Sequence, residues 1–112
     1  FGPILHVVRY KAADLERVIE DINATGFGLT MGLHSRNDDT RAFVESRIKV
    51  GNFYVNRNQI GAVVESQPFG GEGLSGTGPK AGGPHYVQRF ATERVVSIDT
   101  TAAGGNATLL AS

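Results

Sequence analysis

The stretch from Asn56 to Pro84 contains the residues of this chain that are best suited to bind a ligand. It holds eight of the fifteen glycines and three of the four prolines. Glycine allows a backbone to approach a ligand closely, and long irregular segments within compact domains are usually functional or disordered. Apolar residues recur in the stretch, which favours a packed loop that faces a ligand. These are Ile60, Val63, Val64, Phe69 and Leu74.

One part of this stretch, Gly71–Gly76, has the spacing G-x-G-x-x-G that is typical of dinucleotide-binding turns. That fingerprint requires a strand before it and a helix after it, because the helix N-terminus binds the pyrophosphate. Here Pro68-Phe69-Gly70 precedes the glycines and Thr77-Gly78-Pro79 follows them, so no helix is predicted. Lys80 also lacks the spacing of a phosphate-binding loop. The stretch is therefore not predicted to bind a dinucleotide by this motif.

Other residue types that carry chemistry are few. The chain has no cysteine, which excludes disulfides, a thiolate nucleophile and sulfur-ligated metals from these 112 residues. The three histidines, His6, His34 and His85, fall in separate predicted elements without helical i, i+4 spacing, so no metal site is expected. The order of Ser, His and Asp residues does not by itself indicate a catalytic triad.

Hydrophobic periodicity predicts alternating strands and helices ahead of the loop. The expected elements are a strand Ile4–Tyr10, a helix capped by Asp14 to about Ala24 with Gly26 after its end, a strand Leu29–Ser35, a helix from Asn37 or Asp38 to about Lys49, and a strand Asn52–Asn56. Short connections between such elements predict right-handed crossovers and a parallel sheet. The glycine-rich loop then leaves the carboxyl end of a strand, where open α/β sheets bind their ligands. A short helix Pro84–Ala91 and a fourth strand Arg94–Asp99 are expected after it.

Composition fits one soluble domain. Eleven basic residues balance eleven acidic ones, so no net charge favours nucleic acid or an anionic membrane. No apolar run approaches the length needed to span a bilayer, and a cytoplasmic protein is expected. The sequence starts at Phe1 without an initiator Met, which suggests part of a longer polypeptide.

Four motifs in order resemble the last third of an aldehyde dehydrogenase catalytic domain: Phe1-Gly2-Pro3, Gly26-Phe27-Gly28-Leu29-Thr30, Gly51-Asn52-Phe53-Tyr54-Val55-Asn56 and Gln67-Pro68-Phe69-Gly70-Gly71. Within that family, the segments 56–64 and 73–84 are similar to pyrroline-5-carboxylate dehydrogenases. The segment 99–107 resembles bifunctional bacterial members that also carry a flavin proline dehydrogenase. The resemblance implies the α/β class, as a three-layer, parallel-sheet part of the catalytic domain with a C-terminal oligomerisation strand or flap.

The resemblance also implies roles for individual residues. Phe1 would pack beside the nicotinamide ribose of NAD, and the backbone N–H groups of Gly61 and Ala62 would bind the carboxylate of glutamate semialdehyde. Phe69 would form a wall of the aldehyde pocket, although a core Phe that anchors the loop is the alternative. The nucleophilic Cys and the general-base Glu are expected upstream, as is FAD in a proline dehydrogenase domain. The chain alone is therefore expected to be inactive.

For domain organisation, the expectation is a catalytic-domain portion, 1–92, followed by an oligomerisation strand and tail, 93–112. A homo-oligomer through 93–106 is implied, and nucleic acid would bind only through a further DNA-binding domain. Two function classes stay open. One is part of a dehydrogenase in proline catabolism to glutamate, and the other is a non-catalytic, dimerising assembly module.

Overall fold

The structure is a computed structural model that describes residues 2–76 and 78–99. Its elements in chain order are a 3₁₀ turn Ala12–Asp14, α1 (Leu15–Ala24), β1 (Phe27–Gly28), β2 (Thr30–Leu33), α2 (Asp38–Glu45), β3 (Asn52–Val55), β4 (Glu72–Gly73) and a 3₁₀ turn Val87–Phe90. Neither α-helix of the described ranges has the length and apolar character of a membrane-spanning helix.

Helix α1 forms where the apolar residues repeat at helical spacing, and Ile19 on that face is only 2% exposed. It ends at Ala24 as predicted, and Gly26 just beyond the end has a φ of +76° and donates its N–H to the Asn23 carbonyl. The predicted cap is wrong in one respect, because the Asp14 side chain makes no capping hydrogen bond. Asp14 ends the preceding 3₁₀ turn and lacks the extended backbone typical of a capping residue.

Helix α2 begins after Asn37, whose side-chain oxygen accepts hydrogen bonds from the N–H groups of Asp39 (2.8 Å) and Thr40 (3.1 Å). The helix ends at Glu45, four residues before the predicted Lys49. The Asn23 side chain explains the early end, since it donates to the Arg47 carbonyl and accepts from the Lys49 N–H, both at 2.9 Å. These two bonds hold the connection to β3 against the end of α1.

Strands β2 and β3 pair in parallel, with Thr30 opposite Asn52 and Leu33 opposite Val55. Helix α2 therefore lies in a crossover between parallel strands, which confirms the predicted parallel pairing of these two strands and the α/β class. Strand β4 pairs antiparallel with β1, Phe27 opposite Gly73, and so brings the glycine-rich segment back to the end of α1. The predicted strand Leu29–Ser35 is shorter than expected, because its ends leave the ladder.

Two predicted strands, Ile4–Tyr10 and Arg94–Asp99, are wrong for the described chain. Both segments lack regular secondary structure, and their apolar side chains are exposed, for example Val8 at 81% and Val95 at 83%. A strand needs a neighbour for its backbone hydrogen bonds, and neither segment joins a sheet within residues 2–76 and 78–99. The predicted short helix Pro84–Ala91 is reduced to the 3₁₀ turn Val87–Phe90.

The buried apolar side chains of the described chain are few. They are Ile19 from α1, Val44 from α2 and Tyr54 from β3. The two helices and strand β3 thus contribute one each. On β3 the buried residues are Asn52 and Tyr54, and their side chains form hydrogen bonds with the backbone of the glycine-rich loop.

Candidate functional site

The first turn of the glycine-rich loop is built around the Arg57 guanidinium. Its Nε donates to the Asn58 carbonyl (3.1 Å), its Nη2 to the Ile60 carbonyl (3.2 Å) and its Nη1 to the Gln67 side chain (2.6 Å). The guanidinium also stacks 4.4 Å from the centre of the Tyr54 ring. One half-buried cation therefore ties the beginning of the loop to a later part of it.

Gly61 and Ala62, the predicted carboxylate-binding pair, are exposed at the end of this turn. Gly61 has a φ of +107°, a conformation that side chains rarely allow. Its carbonyl accepts a hydrogen bond from the Tyr54 hydroxyl at 3.3 Å. Within the described residues, the N–H groups of Gly61 and Ala62 have no hydrogen-bond partner. Two successive amides are thus open to a ligand, and such pairs can bind an anion.

The Asn52 side chain holds the segment around Phe69. Its Oδ1 accepts from the Gly70 N–H (3.1 Å), and its Nδ2 donates to the Pro68 carbonyl (3.0 Å) and to the Tyr54 hydroxyl (3.3 Å). Asn52 is only 8% exposed, so these bonds satisfy a polar side chain that is otherwise costly to bury. They fix the backbone on both sides of Phe69.

Phe69 itself is half-buried, and its backbone pairs with Ala81 through two hydrogen bonds of 2.8 and 2.9 Å. Its side chain lines a pocket of about 360 Å³ together with Leu29, Pro79, Tyr86 and Phe90. Gly61 and Ala62 do not line this pocket. A larger apolar cavity of about 730 Å³ lies between α1 and β2 and contains none of the predicted site residues.

In the turn Gly71–Gly76, three of the amides already donate to carbonyls of the described chain. The N–H groups of Leu74, Ser75 and Gly76 donate to the carbonyls of Gly26, Glu72 and Gly73. A Cβ added at Gly71 or Gly76 would collide with backbone on the opposite side of the turn. The glycines therefore close the turn on itself, and the residues present do not fit the pyrophosphate of a dinucleotide.

The Gly61–Ala62 turn and the segment around Phe69 are thus both bound by side chains of β3. Phe1, the predicted nicotinamide neighbour, lies outside the described residues. No group of three or more His, Asp or Glu side chains in 2–76 and 78–99 could hold a metal ion.

Sequence reasoning gave no role to the polar side chains that bind the glycine-rich loop near Gly61 and near Phe69. These are Asn52, Tyr54, Arg57 and Gln67. The available signal was the alternation in β3, which gives Asn52 and Tyr54 the same buried face.

A loop at the carboxyl end of a parallel strand pair has the position where open α/β sheets bind their ligands. The sequence pattern of the aldehyde dehydrogenase family matches residues 1–96, and the chain belongs to that family.

Among sequence relatives, the bifunctional protein PutA of Rhizobium meliloti is 67% identical over 92 residues, which is 82% of this chain and 8% of that protein. A solved variant of proline utilization A from Bradyrhizobium japonicum superimposes with a TM-score of 0.82 at 67% identity, over 93% of this chain and 11% of the other. A variant of 1-pyrroline-5-carboxylate dehydrogenase from Thermus thermophilus gives 0.72 at 43% identity, over 80% and 17%. The chain spans less than a fifth of the length of each of these relatives.

Proposed function

We propose that this chain forms the substrate-binding side of an NAD-dependent dehydrogenase that oxidises L-glutamate γ-semialdehyde, the open form of 1-pyrroline-5-carboxylate, to glutamate. The observation that carries the proposal is the pair of open amides at Gly61 and Ala62. The names of the relatives, bifunctional PutA and 1-pyrroline-5-carboxylate dehydrogenase, support the substrate and its place in proline catabolism.

In this proposal the chain binds and orients the substrate. The amides of Gly61 and Ala62 hold the substrate carboxylate, and Phe69 covers the aldehyde end. The nucleophile comes from elsewhere in the enzyme, since the chain has no cysteine. Phe1 would contact the nicotinamide ribose. NAD accepts the hydride, and FAD would serve a separate proline dehydrogenase domain; both assignments rest on the family resemblance.

The second candidate is that the chain is a non-catalytic, dimerising assembly module. The proposed division is a catalytic-domain portion, 1–92, followed by an oligomerisation strand and tail, 93–112. The assembly module is favoured by one observation, the exposure of Val95 (83%), Val96 (65%) and Ile98 (78%) in a segment without secondary structure. An extended apolar segment can pair with the sheet edge of another subunit. We propose that 93–106 does so in a homo-oligomer. Cytoplasmic location stays a prediction, as does nucleic-acid binding through a further domain.

The test is NADH formation by the full-length polypeptide. We expect NADH to accumulate when 1-pyrroline-5-carboxylate and NAD+ are both supplied, and not when either is omitted. The 112-residue chain alone should give no NADH above the blank, because it lacks a thiolate nucleophile. If the full-length polypeptide leaves 1-pyrroline-5-carboxylate unoxidised, the proposed function is wrong. Turnover by the 112-residue chain would show that the chemistry lies within it.

A further inference from the structure

We infer that Tyr54 and Arg57 are positioning residues that turn the Gly61 and Ala62 N–H groups toward the substrate carboxylate. The inference rests on the proposed function, because it explains how the same site selects an aldehyde that bears a carboxylate. It concerns two side chains that contact the backbone carbonyls of the loop and not its amides.

The peptide unit between Gly61 and Ala62 is oriented by Tyr54. In a trans peptide the carbonyl and the following N–H point in opposite directions. All the described peptide bonds are trans. Because the Tyr54 hydroxyl draws the Gly61 carbonyl toward β3 at 3.3 Å, the Ala62 N–H faces away from Tyr54.

Arg57 orients the preceding peptide unit in the same way. Its Nη2 binds the Ile60 carbonyl at 3.2 Å, so the Gly61 N–H points away from the guanidinium. The Ile60 N–H is already bound to the Asn58 side chain at 3.2 Å. Two successive amides are therefore left open, while both carbonyls, which would repel an anion, are bound on the other side.

The two positioning residues act as one unit. The Arg57 guanidinium stacks on the Tyr54 ring, and its other donors bind Asn58 and Gln67. Tyr54 is only 8% exposed, and its hydroxyl accepts a hydrogen bond from Asn52. A planar guanidinium with several fixed donors holds such a loop better than a lysine can. The geometry is thus set before any ligand arrives, which lowers the entropic cost of binding the carboxylate.

The test measures selectivity for the carboxylate in the full-length enzyme. The substrates are 1-pyrroline-5-carboxylate and 1-pyrroline, which is the same ring without the carboxylate. Tyr54→Phe removes only the hydroxyl, and we expect the ratio of the two kcat/KM values to fall by about 2- to 10-fold, the size of one neutral hydrogen bond. Arg57→Met should lower the ratio by about 10-fold or more, since it frees the Ile60 carbonyl and releases Tyr54. Arg57→Lys should stay close to Arg57→Met.

Matched controls are Tyr10→Phe and Arg17→Met, because both residues are exposed and lie outside the loop. These variants should keep the wild-type ratio. The Kd of L-glutamate, measured by calorimetry, gives a second readout that needs no turnover. We expect this Kd to rise by about 2- to 10-fold in Tyr54→Phe. Equal losses on both substrates, an unchanged Kd, or full recovery in Arg57→Lys would overturn the inference. A wild-type enzyme that does not oxidise 1-pyrroline-5-carboxylate would instead refute the proposed function.

Discussion

At the scale of single residues, Phe69 has two candidate roles: a wall of the aldehyde pocket, or a core residue that anchors the loop. Its backbone is fixed on both sides by Asn52 and by the pairing with Ala81, and its half-buried side chain lines a pocket of about 360 Å³. If Phe69 forms a pocket wall, its removal should lower kcat/KM. If it is an anchor, its removal should lower the free energy of unfolding. The structure supports the first role through the open pocket and the second through partial burial.

We expect Phe69→Ala in the full-length enzyme to lower kcat/KM for the aldehyde by about 10- to 200-fold, the range for apolar pocket contacts worth about 1–3 kcal/mol. Steady-state kinetics and urea unfolding should be measured together. Val87→Ala is the matched control, because its side chain is 77% exposed and does not line this pocket. A large loss of stability with normal kinetics in the folded fraction would identify Phe69 as an anchor.

Gly61 provides a second residue-scale prediction. Its φ of +107° costs a residue with a Cβ about 1–3 kcal/mol, although an added Cβ would meet no atom within 4 Å. Gly61→Ala should therefore shift the loop and raise the KM for 1-pyrroline-5-carboxylate by about 5- to 150-fold. Val64→Ala, at a neighbouring side chain that is 74% exposed, should leave KM unchanged. An unaltered KM in Gly61→Ala would mean that the amides do not bind the substrate.

At the scale of elements, β3 supports the whole site. Its alternation places Asn52 and Tyr54 on one buried face, and these two side chains reach the backbone at Pro68, Gly70 and Gly61. The parallel pairing with β2 fixes the register of β3, and α2 forms the connection between the two strands. A change that destabilises α2 should therefore destabilise β3 and the parts of the glycine-rich loop that β3 binds.

We expect Asn37→Ala to lower the free energy of unfolding by about 1 kcal/mol, since it leaves the N–H groups of Asp39 and Thr40 without their capping oxygen. Asn37→Ser is the matched control, because serine retains a capping oxygen and should lose much less. Chemical denaturation of the full-length polypeptide provides the measurement. Equal stability of the alanine and serine variants would show that the cap contributes nothing.

At the scale of the whole molecule, the chain is extended. Its radius of gyration is 24.3 Å, while a compact domain of this length has about 13 Å. The large exposed apolar side chains include Ile4, Leu5, Val7 and Val8 near one end and Val95, Val96 and Ile98 near the other. We expect these segments to contact other protein, since exposed apolar patches often lie at protein–protein interfaces.

Deleting residues 92–112 should convert the proposed homo-oligomer into monomer or aggregate, as measured by light scattering. The triple variant Val95→Ser, Val96→Ser, Ile98→Ser should act in the same direction, because it removes the apolar side chains and keeps the chain length. Val87→Ser, at an exposed position outside the segment, should keep the oligomer. An oligomer of unchanged size and stability after the deletion would place the contacts on other surfaces.

The sequence alone predicted helix α1, the start of α2, the parallel pair and the position of the glycine-rich loop. These features depend on local signals: the helical spacing of α1, the capping residue Asn37, Gly26 after α1, and the short connections that favour parallel strands. The family could also be predicted from the sequence, because four motifs keep their order and spacing. The predictions of strands at Ile4–Tyr10 and Arg94–Asp99 were wrong. A strand needs a neighbouring strand to pair with, and the local sequence pattern does not show whether one is present.

Only the tertiary structure decided how the loop presents its backbone. The bonds from Asn52 to Gly70, from Tyr54 to Gly61 and from Arg57 to Gln67 join residues that are 18, 7 and 10 positions apart. Residue types reveal that such side chains can form hydrogen bonds, but the direction of each carbonyl follows from where the folded chain places its partner. The same holds for Gly71–Gly76, whose spacing matches a dinucleotide motif while its amides are bound within the fold.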